Sequence, residues 1–477
     1  MSQRLTHHGL RLAGCLAAVL LAGCSHTMPV TEPAPEMELP AGWSQAGKPG
    51  SQEWPDAHWW QRFGSDELSQ LVNEGQESNL ALAAALSRVR QAAAQAKIAG
   101  VTLLPSVDAS ASASRDLPVA GQHNANVSTS GVLQVSYELD FWGKNAAGVA
   151  AAEASLRANF YDRQTVALTV TSGIVSTYLQ LLSLHDRLAV ARENAGTAEH
   201  VLTLVEAQSS VGAATSVDLA RQRSAVASQR AAIPALLQQQ REAQSALAIL
   251  LGQSPQTFKI SDSGLDTIRL PEVAAGLPSE LLSRRPDIRR SEALLAAASA
   301  NVEVARAALF PSIRLTGSTG TQSSALMSLL NAQNLFANVG ASLVAPIFDG
   351  GRLRTERDLA IEQKQELVQN YRSTVLSALA EVDTVLGQIN SLDEQRRLKE
   401  VELEQSRLAF NLSEIRYKAG AEDLMTVLDT QRSLADVQNE LGLLKLKRLQ
   451  ATVSLYKALG GGWQSEGLDA VAGSFAK

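Results

Sequence analysis

The sequence predicts a mainly helical fold with a smaller β portion, in which strands from several copies close one transmembrane β-barrel that continues into long helical coiled coils. Three observations lead to this prediction. Two stretches alternate between apolar and polar residues, and two very long stretches contain no proline. Each half of the chain contains one stretch of each kind, in the same order. Aromatic residues make up only 4% of the chain and its long middle stretches are rich in Ala, Gln, Leu and Ser, a composition typical of extended helices.

The internal duplication sets the domain organisation. Four segment pairs lie about 206 to 209 positions apart: TLLPSVDAS with ALFPSIRLT, LDFWGK with PIFDGG, VGAATSVDLARQRS with AGAEDLMTVLDTQRS, and LLGQSP with KALGGGW. The predicted order is a signal peptide (1–23), an anchored extended segment (24–65), a first repeat (66–275), a second repeat (276–463) and a tail (464–477).

The N-terminus resembles the export signal of a bacterial lipoprotein. Two arginines precede the apolar run LAGCLAAVLLAGC, which ends in small residues. Its last four residues resemble a lipobox, which implies that Cys24 carries diacylglycerol and palmitate. Ser25 follows in place of an inner-membrane retention Asp, which implies the outer membrane. The alternative is an ordinary signal peptide with an incidental cysteine. Because Cys15 would be removed with the signal, the mature chain would have no intrachain disulfide.

Each repeat contains two predicted strands. In 127–141, odd positions are apolar and even positions are polar with one exception, and 336–348 repeats the pattern less cleanly. Segments 106–115 and 312–320 are their predicted partners. Such alternation is typical of a transmembrane barrel, but a soluble sheet with one buried face is an equal alternative on the strands alone.

The long helices favour the barrel. Segments 145–209 and 352–419 lack proline, and each could extend on the order of 100 Å as a single helix. Heptad spacing in both copies indicates coiled coils, as in Ile361, Val368, Val375, Val382 and Ile389. Gly143 and Gly350 are the predicted strand-to-helix junctions. Gly212 and Gly420 are the predicted tips of helical hairpins over 144–251 and 351–459, with 252–275 as an equatorial segment beside them.

Four membrane strands cannot close a barrel, because closed barrels begin at about eight strands and every edge in lipid must be paired. Several copies must therefore share one barrel. The polar strand faces would then line a wet interior, and the chain would act as a conduit through the membrane.

Segments 56–72, 276–313 and 417–434 are similar to patterns of the TolC-like outer membrane factors, specifically their lipoprotein branch. The resemblance covers nearly the whole mature chain. It implies a homotrimer with twelve strands, four from each chain, and a periplasmic α-barrel closed at its tip. It further implies the exit duct of a tripartite efflux pump for drugs, toxic compounds or metal ions, with a periplasmic adaptor and an inner-membrane pump as partners. The alternative within this class is the exit duct of a type I protein secretion system.

The resemblance also implies a gate at the periplasmic tip. Tyr417, Met425, Asp429 and Arg432 fall where the family places residues that constrict or lock the closed tip, with Asp429 as an acidic ring around the axis. Met425 departs from the leucine expected there. The alternative is that Asp429 and Arg432 form a solvated pair on one helix.

Several function classes are disfavoured. The sequence has no nucleophile elbow, nucleotide-binding loop, dinucleotide fingerprint or zinc-protease motif, so we predict that the chain is not an enzyme and holds no metal. The net charge of -6 without a basic patch argues against nucleic acid. A periplasmic adaptor would carry one hairpin rather than two, and a purely structural coiled-coil lipoprotein would need no alternating strands.

Overall fold

The computed structural model of the chain describes residues 37–44, 56–115, 127–273, 275–276, 278–324 and 326–461. The predicted signal peptide, the lipidated Cys24 and the tail 464–477 lie outside the described residues.

The helices and strands follow the order that the duplication predicts. The first repeat contains α1 (Asp66–Ser78), α2 (Leu80–Val101), β1 (Ser106–Arg115), β2 (Val127–Leu139), α3 (Lys144–Ser210) and α4 (Ser216–Leu250). The second contains α5 (Leu281–Arg284), α6 (Pro286–Ala307), β3 (Ser312–Ser323), β4 (Leu335–Val344), α7 (Arg352–Lys418) and α8 (Leu424–Ala458). Short 3-10 turns lie at Trp59–Phe63, Leu265–Thr267, Pro278–Glu280, Leu326–Ser328 and Ala332–Asn334. The predicted fold class, mainly helical with four strands per chain, is confirmed.

Corresponding helices of the two repeats have equal lengths. Helices α3 and α7 each contain 67 residues, α4 and α8 each contain 35, and α2 and α6 each contain 22. The hairpin helices of the second repeat begin 208 positions after their counterparts. Each residue of one hairpin helix therefore has a defined counterpart in the other repeat.

The chain divides into two units. The first contains Arg90–Ala158 and Ser291–Arg372, and its main feature is a four-stranded sheet in the order β1-β2-β3-β4 with every neighbouring pair antiparallel. Strand β2 ends at Leu139, two residues before the predicted end, because the following Asp140 caps the next helix. Strand β4 ends at Val344 rather than at 348, since Pro346 cannot donate to a ladder.

The second unit contains Met37–Val89, Asn159–Arg290 and Ser373–Lys477. Its core contains a cluster of aromatic side chains. The Trp59 ring stacks on Tyr456 with centroids 4.7 Å apart, and Phe63 packs beside both. These side chains are buried with the apolar faces of α1, α3, α4 and α8.

In both repeats, a side chain from a distant segment donates a hydrogen bond to the last carbonyl of the second hairpin helix, α4 or α8. In the first, Asn79 Nδ2 donates to the Leu250 carbonyl at 2.7 Å. In the second, the corresponding Arg285 Nη1 donates to the Ala458 carbonyl at 2.9 Å. Because the last carbonyls of a helix have no partner within the helix, such bonds satisfy groups that would otherwise be unpaired.

Candidate functional site

The sheet of the first unit has one polar face and one apolar face. Residues paired across antiparallel strands share a face, so the register places all even-numbered strand residues on one side. Nearly all of these are polar or glycine, and many carry hydroxyls: Ser106, Ser110, Ser112, Ser114, Ser128, Ser130, Ser136, Ser312, Thr316, Ser318 and Ser342. The opposite side carries exposed apolar residues, such as Val107, Leu133, Leu315, Val339 and Leu343.

Hydroxyl pairs and few charges mark the polar face. The Oγ atoms of Ser112 and Ser130 are 2.8 Å apart, and those of Ser106 and Ser136 are 2.9 Å apart. Within the described strands, the charged residues of this face are Asp108, Glu138 and Arg314. A surface of this kind is wetted by water and has little net charge.

The three charges are not spread evenly. Glu138 Oε2 lies 3.6 Å from Arg314 Nη2, and its Oε1 lies 3.3 Å from Lys144 Nζ on the first turn of α3. The side chains of Glu138, Arg314 and Lys144 are all partly exposed. Their ion pairs therefore contribute little to the free energy of folding.

The two predicted strand-to-helix junctions have left-handed backbone. Gly143 has φ of 73° and Gly350 has φ of 67°, a conformation that glycine adopts without steric cost. Aspartates complete both junctions. Asp140 accepts from the amides of Asn145 and Ala146 at 3.1 and 2.7 Å, and Asp349 accepts from Gly351 and Leu353 at 2.9 Å.

The capping roles of these aspartates were not predicted, although an Asp shortly before a helical run is a recognised N-terminal signal. The contacts of Trp142 were not predicted either. The indole stacks on Phe310 with centroids 4.8 Å apart, and its Nε1 donates to the Pro311 carbonyl at 2.7 Å. Trp142 therefore ties the start of α3 to the segment that enters β3.

The two predicted hairpin tips also turn at left-handed glycines, Gly212 with φ of 74° and Gly420 with φ of 71°. Helix α4 then begins with a capping box. Asp218 N donates to Thr215 Oγ1 at 3.2 Å, and Thr215 N donates to the Asp218 carboxylate at 2.9 Å. Helix α8 begins with Asp423, which accepts from Thr426 N at 2.9 Å. The Thr and Asp positions are thus exchanged between the two tips.

The structure separates the four predicted gate residues. The ring of Tyr417 is buried in a cluster with Val201 and Val205 of α3 and Leu424 and Val427 of α8. Met425, Asp429 and Arg432 instead lie on one exposed stripe of α8. Met425 is 46% exposed, and its sulfur accepts from Arg221 Nη1 at 3.8 Å.

Asp429 and Arg432 do not form the solvated pair considered as an alternative. Among the ion pairs of the described residues, neither side chain has a partner within 4.0 Å. Both side chains are exposed on the surface of α8.

Electrostatics at the tips follow from the caps. Burial raises the pKa of the Tyr417 phenol, and the nearby Asp218 carboxylate raises it further, so this side chain remains neutral at physiological pH. Hydrogen bonds from the Thr215 hydroxyl and amide lower the pKa of Asp218, and bonds from Thr426 lower the pKa of Asp423. Both carboxylates stay ionised where they stabilise helix N-termini.

Comparison with known proteins identifies the family. The profile described as "OEP: Outer membrane efflux protein" matches residues 71–253 and 277–461, one stretch in each repeat. The chain belongs to the outer membrane efflux protein family.

The chain is 45% identical over 463 residues to the pyoverdine export outer membrane protein OpmQ of Pseudomonas aeruginosa, with 94% of this chain and 96% of that protein covered. It is 30% identical over 451 residues to the cation efflux system protein CusC of Escherichia coli O6:H1, with 94% and 97% covered. The solved outer-membrane channel OprN superposes with a TM-score of 0.84 at 27% identity, over 91% of this chain and 99% of that chain.

The protein is therefore an outer membrane efflux channel that spans the membrane and extends into the periplasm, and it is not an enzyme. The predicted family, class of function and location are confirmed. The comparisons favour efflux over the secretion alternative.

Proposed function

We propose that three copies of this chain form one duct, in which twelve strands close a barrel in outer membrane lipid. The observation that carries the proposal is the two-faced sheet. Within the described sheet, β1 and β4 each pair with only one neighbour. Since an unpaired strand edge is costly in lipid, these edges are expected to pair with other copies. The apolar face then meets lipid, and the hydroxyl face lines water.

The duct passively conducts small solutes to the exterior. Transport energy comes from an inner-membrane pump, and a periplasmic adaptor joins the pump to the hairpin tips. The few charges on the polar face suit a passage of low selectivity, and the relatives named above serve pyoverdine export and cation efflux. Drugs, toxic compounds, metal ions and pyoverdine-like compounds are all candidate substrates.

The membrane anchor is part of the proposal. The sequence Leu-Ala-Gly-Cys at 21–24 supports diacylglycerol and palmitate on Cys24 after removal of residues 1–23. Two or more acyl chains hold a protein firmly to a bilayer. Replacing Cys24 with Ser should abolish metabolic labelling with palmitate, and retained labelling would contradict the anchor.

The gate is proposed at the α8 tip. Met425, Asp429 and Arg432 share one exposed stripe, while Tyr417 fixes the adjoining turn from within the core. In a trimer, this stripe would repeat three times around the axis. Three Asp429 carboxylates would then form a ring that Met425 narrows from the tip side.

Conductance of the purified trimer in a planar bilayer tests the gate. Asp429→Ala should raise the closed-state conductance, because it removes both the bulk and the charge of the ring. Glu193→Ala, which changes an exposed carboxylate on α3, is the matched control. Equal conductance of both variants and the wild type would remove Asp429 from the gate.

Deletion of the gene tests the function itself. Cells lacking the protein should accumulate more of at least one dye, drug or metal ion, and the wild-type gene should restore the low level. Complementation with Cys24→Ser would separate anchoring from conduction. If none of the compounds accumulates, efflux by this duct is refuted.

A further inference from the structure

The hydroxyl-rich face of the sheet is interrupted by one apolar row. The register pairs Val132 of β2 with Gly320 of β3, and Gly320 with Phe336 of β4, so the three residues lie side by side on the even-numbered face. Among the described strands, the only other apolar side chain of this face is Val344, the last residue of β4. Val132, Gly320 and Phe336 are here called the apolar strip.

The middle of the strip is a gap that no side chain can fill. A Cβ added at Gly320 would clash with the Gly131 carbonyl of β2. Because neighbouring strands lie about 4.8 Å apart, Val132 and Phe336 stand about 10 Å apart with the β3 backbone between them. Both side chains are only partly exposed, whereas Leu335 on the opposite face is 67% exposed. The strip is therefore a shallow recess with an apolar side chain at each end.

Neutral polar side chains border the recess. Gln134, Gln322 and Asn338 each lie one row away from the strip on the same face, and all three are exposed. An amide side chain both donates and accepts hydrogen bonds. The nearest charge of this face within the described strands is Asp108, which lies on β1, outside the strip. The recess thus suits an uncharged ring whose polar substituents reach the amides.

Sheet stability explains only part of the strip. An aromatic residue opposite a glycine is a known way to stabilise paired strands, and this accounts for Phe336 beside Gly320. It gives no reason for Val132 on the other side of the glycine, where the neighbouring positions of β2 on this face are Ser130 and Gln134. An apolar floor with a few convergent polar groups is instead the usual composition of a small-molecule site.

We infer that the apolar strip is a contact site for flat aromatic rings in the wall of the duct. The inference rests on the proposed duct, in which this face meets water, and it names a substrate class: solutes that carry an aromatic ring. The ring stacks on Phe336, covers the Gly320 backbone and meets Val132 at its far edge. Threefold symmetry places three such sites at one level. An aromatic pair raises a binding constant by roughly 2- to 12-fold beyond the effect of burial alone.

Protection of a cysteine tests the site. Ser318→Cys places a thiol one row from Gly320 on β3, about 7 Å along the strand. Outer membranes that contain the full-length variant are treated with a neutral maleimide, and the wild type gives the background from Cys24. Naphthalenesulfonate should halve the modification rate at a concentration roughly 2- to 12-fold lower than its fully saturated counterpart, which has the same charge but no aromatic ring.

Variants of the strip assign this preference. Phe336→Ser should abolish it and Phe336→Tyr, which keeps the ring, should retain it. Val132→Thr keeps the shape and the strand propensity of the side chain but adds a hydroxyl, so it should weaken protection by the aromatic compound at least about twofold. The outer membrane level of each variant is measured alongside, so that a loss of folding is seen as such. A preference that survives Phe336→Ser would overturn the site.

A thiol on the opposite face separates the site from the duct. Val339→Cys lies on the apolar face and should stay unmodified in lipid, because maleimides react with the thiolate form. If Ser318→Cys is as unreactive as Val339→Cys, the wet interior is refuted, and the proposed duct with it. If Ser318→Cys is modified but the two sulfonates protect it equally, only the aromatic contact site is refuted and the duct stands.

Discussion

Replacing Arg285 with Ala should destabilise the second unit. The guanidinium is only 9% exposed and binds both Asp287 oxygens, with Nη2 and Nε at 2.6 and 3.0 Å. Its Nη1 binds Glu381 Oε2 at 2.7 Å and the Ala458 carbonyl at 2.9 Å. Burial alone would lower the pKa of Arg285, but hydrogen bonds with Asp287 and Glu381 outweigh it and raise the pKa. One side chain thus joins the start of α6, the middle of α7 and the end of α8.

The magnitude follows from the exposure of the partners. Breaking a fully buried ion pair costs about 3–5 kcal/mol, because a charge is left unpaired. Here Asp287 and Glu381 are 31% and 56% exposed and can rehydrate, so we expect the low end, about 3 kcal/mol. At roughly 2 °C per kcal/mol for a large domain, the melting temperature should fall by about 6 °C.

Thermal melting followed by circular dichroism at 222 nm, on detergent-solubilised protein, measures this effect. Arg285→Lys keeps the charge but cannot form the two-pronged contact with Asp287, so it should melt between Arg285→Ala and the wild type. Arg192→Ala, at an exposed arginine of α3, is the matched control and should melt within about 1 °C of the wild type. If Arg285→Ala melts together with Arg192→Ala, the assigned role is wrong.

Three further perturbations address the sheet, the hairpin ends and the tips. Leu133→Lys places a charge in the middle of the apolar face at a cost of about 2–4 kcal/mol in lipid, so the outer membrane level of this variant should fall. Gln134→Lys, on the polar face, should assemble normally. Equal levels of the two variants would contradict the assigned faces. Gly252→Ala should unfold the end of α4, because Gly252 has φ of 69° and an added Cβ would clash with the Ser78 carbonyl. An added Cβ at Gly196 has no neighbour within 4 Å, so Gly196→Ala should melt at or above the wild-type temperature. Asp218 has a lowered pKa in the folded state, so its stabilisation of the tip is present at neutral pH and is lost as pH falls below about 4. Amide exchange at 213–222, corrected for its intrinsic pH dependence, should show this loss in the wild type but not in Asp218→Ala, and the same loss in both would contradict it.

Features with local periodicity were predictable from the sequence. Alternation along 127–139 predicted a two-faced strand, and the positions of Gly143, Gly212, Gly350 and Gly420 predicted turns, because each pattern is produced by neighbouring residues alone. Heptad spacing along 361–389 predicted a coiled-coil seam, and Val375 and Val382 are buried, but which element covers such a seam depends on tertiary packing, which periodicity does not report.

Contacts between distant segments were not predictable. The segment around Arg285 carried the most specific family resemblance, yet its physical role depends on Glu381 and Ala458, which are 96 and 173 positions away. The different exposure of Tyr417 and Met425 was unpredictable for the same reason. A motif places both at the tip, but only the packing of α3 against α8 decides that one ring is buried while the other side chain is exposed.

The two repeats bind the ends of α4 and α8 at equivalent carbonyls but with different residues, and the two helix ends should therefore differ in local stability. Asn79 holds the end of α4 by one neutral hydrogen bond to Leu250, whereas Arg285 holds the end of α8 by a charged bond within a group of carboxylates. Charged hydrogen bonds are about twice as strong as neutral ones, so local opening should cost more at the end of α8. Hydrogen exchange should therefore be faster at Leu247, Ala248 and Leu251 than at their counterparts Leu455, Tyr456 and Leu459, and all six residues are buried. Arg285→Asn, which installs the residue of the first repeat, should bring the two rates together. Slower exchange at Leu247, Ala248 and Leu251 in the wild type would show that packing, rather than the capping contact, sets the local stability of these helix ends.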